Sequence, residues 1–132
     1  MKTNYWFKFQ KGTLGISIDL QAEDIQYSPF DNEIEITGQI VLQIDVLFNV
    51  SDIEKAFLVK ALTRLSDEIQ ERLSGRKIAI RITRIDFDDT DYQPEGLYVA
   101  MLGWISKRYD VTMPHVPVEF NKERKKYSFD IP

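Results

Sequence analysis

The chain contains no cysteine and a single histidine, His115, in 132 residues. These absences exclude a disulfide framework, thiolate chemistry and cysteine-based structural zinc, and zinc held by histidine alone needs several of them. Long apolar runs are missing too. None approaches the roughly 20 residues of a membrane-spanning helix. The aromatic start, Tyr5-Trp6-Phe7, is broken by Lys8 and does not read as a signal peptide, so the expected location is the cytoplasm. There is no basic excess: 17 Lys+Arg against 21 Asp+Glu give a net charge of −4. That balance argues against broad nucleic-acid binding, which is driven by neutralising phosphates. A Gly-rich phosphate loop, a nucleophile elbow, a His-Glu-x-x-His pair and a dinucleotide fingerprint are all absent, so no cofactor is expected.

What is present reads as one soluble globular domain, 43% hydrophobic and 29% charged, long enough to bury a core. Tyr5, Phe7 and Phe9 alternate with Trp6, Lys8 and Gln10, and Leu14, Ile16, Ile18 and Leu20 alternate with polar residues. With Gly12 between them, the two runs predict a β-hairpin. Residues 22–32, with the Ser28-Pro29 turn signal, read as a loop containing a short extended piece. Ile34, Ile36, Ile40, Leu42, Ile44, Val46 and Phe48 keep one parity, which predicts a long half-buried strand with a bend at Gly38. Ser51 and Glu54 form a capping box ahead of an apolar stripe of Ile53, Phe57, Ala61, Leu62, Leu65, Ile69 and Leu73, and Gly75 supplies the stop. A strand follows over 77–87, its parity changing between Ile82 and Ile85 as at a bulge. Pro94 opens a second helix in which Gly103 implies close packing. Val116, Val118 and Phe120, then Tyr127, Phe129 and Ile131, form a last hairpin. The order β-β-β-α-β-α-β-β predicts an α+β fold, a mixed or antiparallel sheet with two helices on one face.

Three polar or aromatic features are candidates for function. Asp86, Asp88, Asp89 and Asp91, with Glu95 beyond, offer hard oxygen ligands for Ca²⁺ or Mg²⁺, or paired carboxylates for acid–base work. The spacing is not an EF-hand, because Asp91 stands where the glycine is needed. The alternative is a solvated turn that favours the following helix N-terminus. Arg81 and Arg84, with Lys122, Arg124, Lys125 and Lys126 on the last hairpin, supply charge for RNA phosphates, or are simply solvated. Trp6 shares the parity of Lys8 and should point away from Phe7, which makes it a contact residue on a possible edge strand. His115, between Pro114 and Val116, has no triad or metal spacing around it.

The layout over residues 51–105 resembles the fourth domain of translation elongation factor G, which has the fold of the second domain of ribosomal protein S5. The helix over 53–73, the strand over 78–85, the polar turn over 86–92, and Glu95 with Ala100 carry the likeness. The resemblance implies the fold. Ribosome binding is not carried across, because the tip loops do not match and the chain is acidic. The leading expectation is a non-catalytic module acting through another protein or through self-association. An RNA- or ribosome-associated factor, and a metal-dependent enzyme built on the acidic turn, are the alternatives.

Overall fold

Alternating apolar and polar residues give a strand one dry face, and this sets up most of the sheet. The computed structural model describes residues 2–11, 14–47, 49–88 and 91–132. β1 (Lys2–Lys11) pairs antiparallel with β2 (Leu14–Gln26), placing Tyr5, Phe7 and Phe9 opposite Leu20, Ile18 and Ile16. β2 continues to Gln26, beyond the point where a loop was expected. Next come β3 (Glu33–Glu35), β4 (Ile40–Ile44), α1 (Asp52–Arg64), α2 (Ser66–Glu71) and β5 (Ile78–Phe87). α3 (Gly96–Tyr109) and the hairpin β6 (Val118–Asn121) and β7 (Lys126–Phe129) complete the chain. The α+β class is as the sequence predicts. A five-stranded mixed sheet runs in the order β1-β2-β5-β4-β3, beside a separate two-stranded hairpin, and two main helices pack against the sheet.

Where one long strand is expected from Ile34 to Phe48, residues 33–44 form a tight hairpin instead. Ile36 and Thr37 both donate to the Ile40 carbonyl, at 2.9 and 3.1 Å, and Ile40 donates back to Thr37, so the chain reverses around Gly38. The apolar parity survives because facing residues, such as Ile34 and Leu42 or Glu35 and Val41, are an even number of positions apart. β4 then lies parallel to β5 and is buried over its whole length. Strands in a parallel pair are typically covered on both faces. Here residues 27–32 lie over the second face, and the Ser28 carbonyl accepts a 2.7 Å bond from Gln43 Nε2.

The capping box forms as read. Ser51 N donates to Glu54 Oε1 at 2.9 Å and Glu54 N to Ser51 Oγ at 3.2 Å, a motif that stabilises a helix by about 1 kcal/mol. The inward stripe is Leu58, Ala61, Leu62, Leu65, Ile69 and Leu73. Ile53, expected on it, is 65% exposed. It lies five positions before Leu58, which at about 100° per residue turns it well off the buried side. A short break at Leu65 separates α1 from α2. Gly75, at φ +80°, ends the helical stretch.

α3 lies flush on β1 and β2 because Gly96 and Gly103, two turns apart, both face the sheet. A Cβ on Gly103 would stand 2.1 Å from the Tyr5 ring, and one on Gly96 2.7 Å from Ile18 Cδ1. Trp104 is fully buried, and its Nε1 donates to the Thr3 carbonyl at 3.0 Å. In β5 the register shifts opposite Gln21 and Ala22. Thr83 is the extra residue, its Oγ1 bonded to the Gln21 carbonyl, so Ile82 and Ile85 both reach the core. Among the described residues, no helix is long and apolar enough to cross a membrane.

Candidate functional site

The helices cover one side of the sheet, and the other side carries mostly polar residues, apart from a row of Ile25, Ala79 and Val41 across β2, β5 and β4. Register fixes who stands beside whom. Trp6, Asp19 and Asp86 form one row across β1, β2 and β5, and Asn4, Gln21 and Arg84 form the next. Lys2, Glu23, Arg81, Gln43 and Glu33 form a row across all five strands.

The β3–β4 end of this side is closed. Arg81 Nε donates to Gln43 Oε1 at 3.1 Å, and Gln43 Nε2 donates to Glu33 Oε1 at 3.2 Å. Glu33 also accepts from Tyr27 OH at 2.8 Å and from the Phe30 amide at 2.9 Å. Those donors, the Tyr27 hydroxyl first, hold the Glu33 carboxyl below the usual carboxylate range. The Arg81 guanidinium lies 4.7 Å from the Phe30 ring centroid. Arg81 is therefore engaged under residues 27–32.

The β1–β2 end is open. Trp6 is 61% exposed, yet its indole is held, because Nε1 donates to Ser17 Oγ at 2.7 Å and Lys8 Nζ lies 5.7 Å from the ring centroid. Arg84 pairs with Asp86, both side chains being 56% exposed, which makes the pair weak in energy. Asp19 Oδ1 is shielded from solvent and has no hydrogen-bond partner among the described residues.

Among the described residues, Asp86 and Asp91 of the acidic turn point to different partners. Asp86 turns to Arg84 on the open side, and Asp91 Oδ2 accepts the Gly15 amide at 2.9 Å, tying the turn to β2. The Phe87 ring stacks on Tyr92 at 4.0 Å. The Tyr92 hydroxyl donates to Glu54, so burial and that carboxylate push the phenol up. Among the described residues, no group of three or more acidic or histidine side chains is placed to hold a metal ion. Asp89 lies outside the described residues, as do Gly12 and Phe48.

The basic residues also divide. Lys122, Arg124, Lys125 and Lys126 are exposed on the β6–β7 turn, where Asn121 Oδ1 accepts the amides of Glu123 and Arg124 at 3.0 and 3.1 Å. That hairpin packs on the helix-bearing side of the sheet, with Tyr127 edge-on to Phe9 at 5.0 Å. Gln93 exchanges two 2.8 Å bonds with the Tyr127 backbone. Arg81 and Arg84 project from the opposite side. The six basic candidates therefore do not form one surface.

Two features escape the sequence reading. Asp24 lies on the core side of β2 and holds Arg108 through two contacts, Nε at 2.9 Å and Nη2 at 2.8 Å, while accepting Tyr109 OH at 3.1 Å. Burial raises the Asp24 pKa, but the Arg108 bonds and charge, with Tyr109, outweigh it and leave the carboxyl below its ordinary value. The second is a groove of about 600 Å³ beside β1, lined by Phe7, Phe9, Val99, Met113, His115 and Val116 among others. Neither has a local sequence signal, because each joins residues about 85 or more positions apart. No protein-family model matches the chain, and comparison with the curated proteins finds no relative.

Proposed function

We propose that the protein is a non-catalytic binding module that holds another protein against the open end of its sheet, at Trp6. One observation carries the reading: Trp6 stands on the uncovered side of an edge strand, 61% exposed, in an orientation already fixed by Ser17. A fixed aromatic loses little freedom on binding, and tryptophan is enriched among residues that dominate protein interfaces. The charges around it favour protein over RNA. Asp19, Glu23 and Asp86 stand among Lys2, Lys8 and Arg84, so a phosphate backbone laid there meets as many carboxylates as cations.

Site-specific photo-cross-linking in cell extract tests this. A photoreactive phenylalanine replacing Trp6 is expected to give protease-sensitive, nuclease-resistant adducts, while the same group replacing Lys60 on α1 gives none. Adducts that disappear with nuclease, or equal labelling from both positions, would remove the protein-binding reading and favour the RNA-associated alternative or no site at all.

A further inference from the structure

β1 is paired on one side only, and the hydrogen bonds show which of its backbone groups are left over. The Gly15 amide, the Ser17 carbonyl and the Gln21 carbonyl all bond toward the β5 side, to Asp91 Oδ2, Asp88 N and Thr83 Oγ1. Backbone groups alternate along a strand, and facing residues of an antiparallel pair turn together, toward or away from each other. The partners of Ser17, Asp19 and Gln21 in register are Lys8, Trp6 and Asn4. Their N–H and C=O groups therefore point outward, away from β2. The Asn4 carbonyl accepts Lys107 Nζ at 2.8 Å. Among the described residues, the backbone groups of Trp6 and Lys8 have no protein partner.

Beside this open ladder lies the groove of about 600 Å³, within the range of pockets that take ligand side chains. Phe7 and Phe9 of β1 form one wall, and residues 113–119 form the other. That second wall contains Pro114 and Pro117, which have no N–H to offer, and no backbone bond joins it to β1 among the described residues. An edge strand with free backbone groups and an adjoining side-chain pocket is the arrangement that accepts an added strand. Charge selects the occupant. β1 carries three lysines and no carboxylate, and Lys107 adds a further cation at the edge. A second copy of β1 would bring lysine against lysine, the usual guard against edge-to-edge pairing. The carboxylates on that side lie further in: Glu23 and Asp19 are one strand away, about 5 Å from β1, and Asp86 two strands away, about 10 Å.

We infer that β1 takes an extended segment of another protein as an antiparallel sixth strand, one in which acidic residues alternate with apolar ones. The acidic residues stand on the Trp6 side beside Lys2 and Lys8, and the apolar residues point toward the groove beyond Phe7 and Phe9. This rests on the protein-binding reading and names the kind of partner.

The probe is a labelled, end-blocked eight-residue peptide of alternating glutamate and valine, added to the full chain and followed by fluorescence anisotropy. In the proposed pairing the glutamates carry the N–H groups that face β1. N-methylation of the glutamates should therefore weaken binding more than tenfold, while N-methylation of the valines changes it less than threefold. Replacing glutamate by lysine in the peptide, or Lys8→Glu in the protein, should each weaken binding at least tenfold, and bound peptide should slow amide exchange at Trp6 and Lys8. Equal effects of the two methylations, equal binding of the lysine peptide, or no anisotropy change at millimolar protein would overturn the inference. So would a dimer of the chain by itself at 100 µM in sedimentation equilibrium, which would make a second copy the occupant. Loss of peptide binding while the position-6 cross-link persists removes only the added strand; loss of the cross-link removes the binding reading itself.

Discussion

Tyr5 and Gly103 occupy one volume between them, so their energies should not add. Adding a methyl group at position 103 gains about 1 kcal/mol of helix propensity but drives it into the Tyr5 ring, 2.1 Å away. We expect Gly103→Ala to destabilise by about 1–3 kcal/mol, the usual range for overpacking. In a Tyr5→Ala background the same change should be neutral or stabilising. Urea denaturation of the four proteins in the cycle measures the coupling, and additive effects would mean that the helix does not rest on that ring. Asp24 makes a second residue-scale prediction, about acid. Its folded pKa lies below its ordinary value. Its contribution to stability is therefore complete above the unfolded-state pKa of about 3.9 and is lost as the pH falls through the depressed folded value. Asp24→Asn should cost stability at pH 7 and show a flatter acid limb than the parent. Parallel curves down to pH 2 would contradict the pairing with Arg108 and Tyr109.

Helix ends and strand faces show what the sequence made legible. The capping box at Ser51 and Glu54, the bulge between Ile82 and Ile85, and the close approach at Gly103 all follow from local rules, and each is found in the structure. Ile44 and Leu65, on β4 and at the α1–α2 joint, are both 4% exposed, as their parity and periodicity require. The misses have a common origin. Alternation cannot distinguish one long strand from two strands joined by a turn that preserves parity, so β3 and β4 read as one. Nor does a stripe of apolar side chains fix where around the helix the centre of the buried face falls, so Ile53 reads as inward although it is turned well off that face. For the candidate site, Trp6 was legible from parity alone, whereas the groove and the Asp24 cluster depend on distant segments meeting. The end of α3 gives a prediction of its own. Asp110 caps the helix at φ +55°, a left-handed conformation that costs an L-residue about 1–2 kcal/mol. It also places a carboxylate at the negative end of the helix dipole. Asp110→Gly should stabilise by about 1 kcal/mol in thermal or urea unfolding, and a loss of stability would mean that the Asp110 side chain contributes contacts there.

The strand order β1-β2-β5-β4-β3 makes β5 the one strand that joins two hairpins, β1–β2 on one side and β3–β4 on the other. A chain cut after residue 76 keeps four of the sheet's five strands but loses that common neighbour. It should show no cooperative thermal transition, whereas the full chain is expected to unfold in one step; a sharp transition in the fragment would mean that one half is stable unaided. The same order has a consequence for synthesis. Residues of β4 are made by position 44, whereas β5 is complete only at position 87. At about 5–20 residues per second, roughly 2–9 s separate the two. For that interval the growing chain carries two hairpins, each with a naked inner edge that only the later strand can cover.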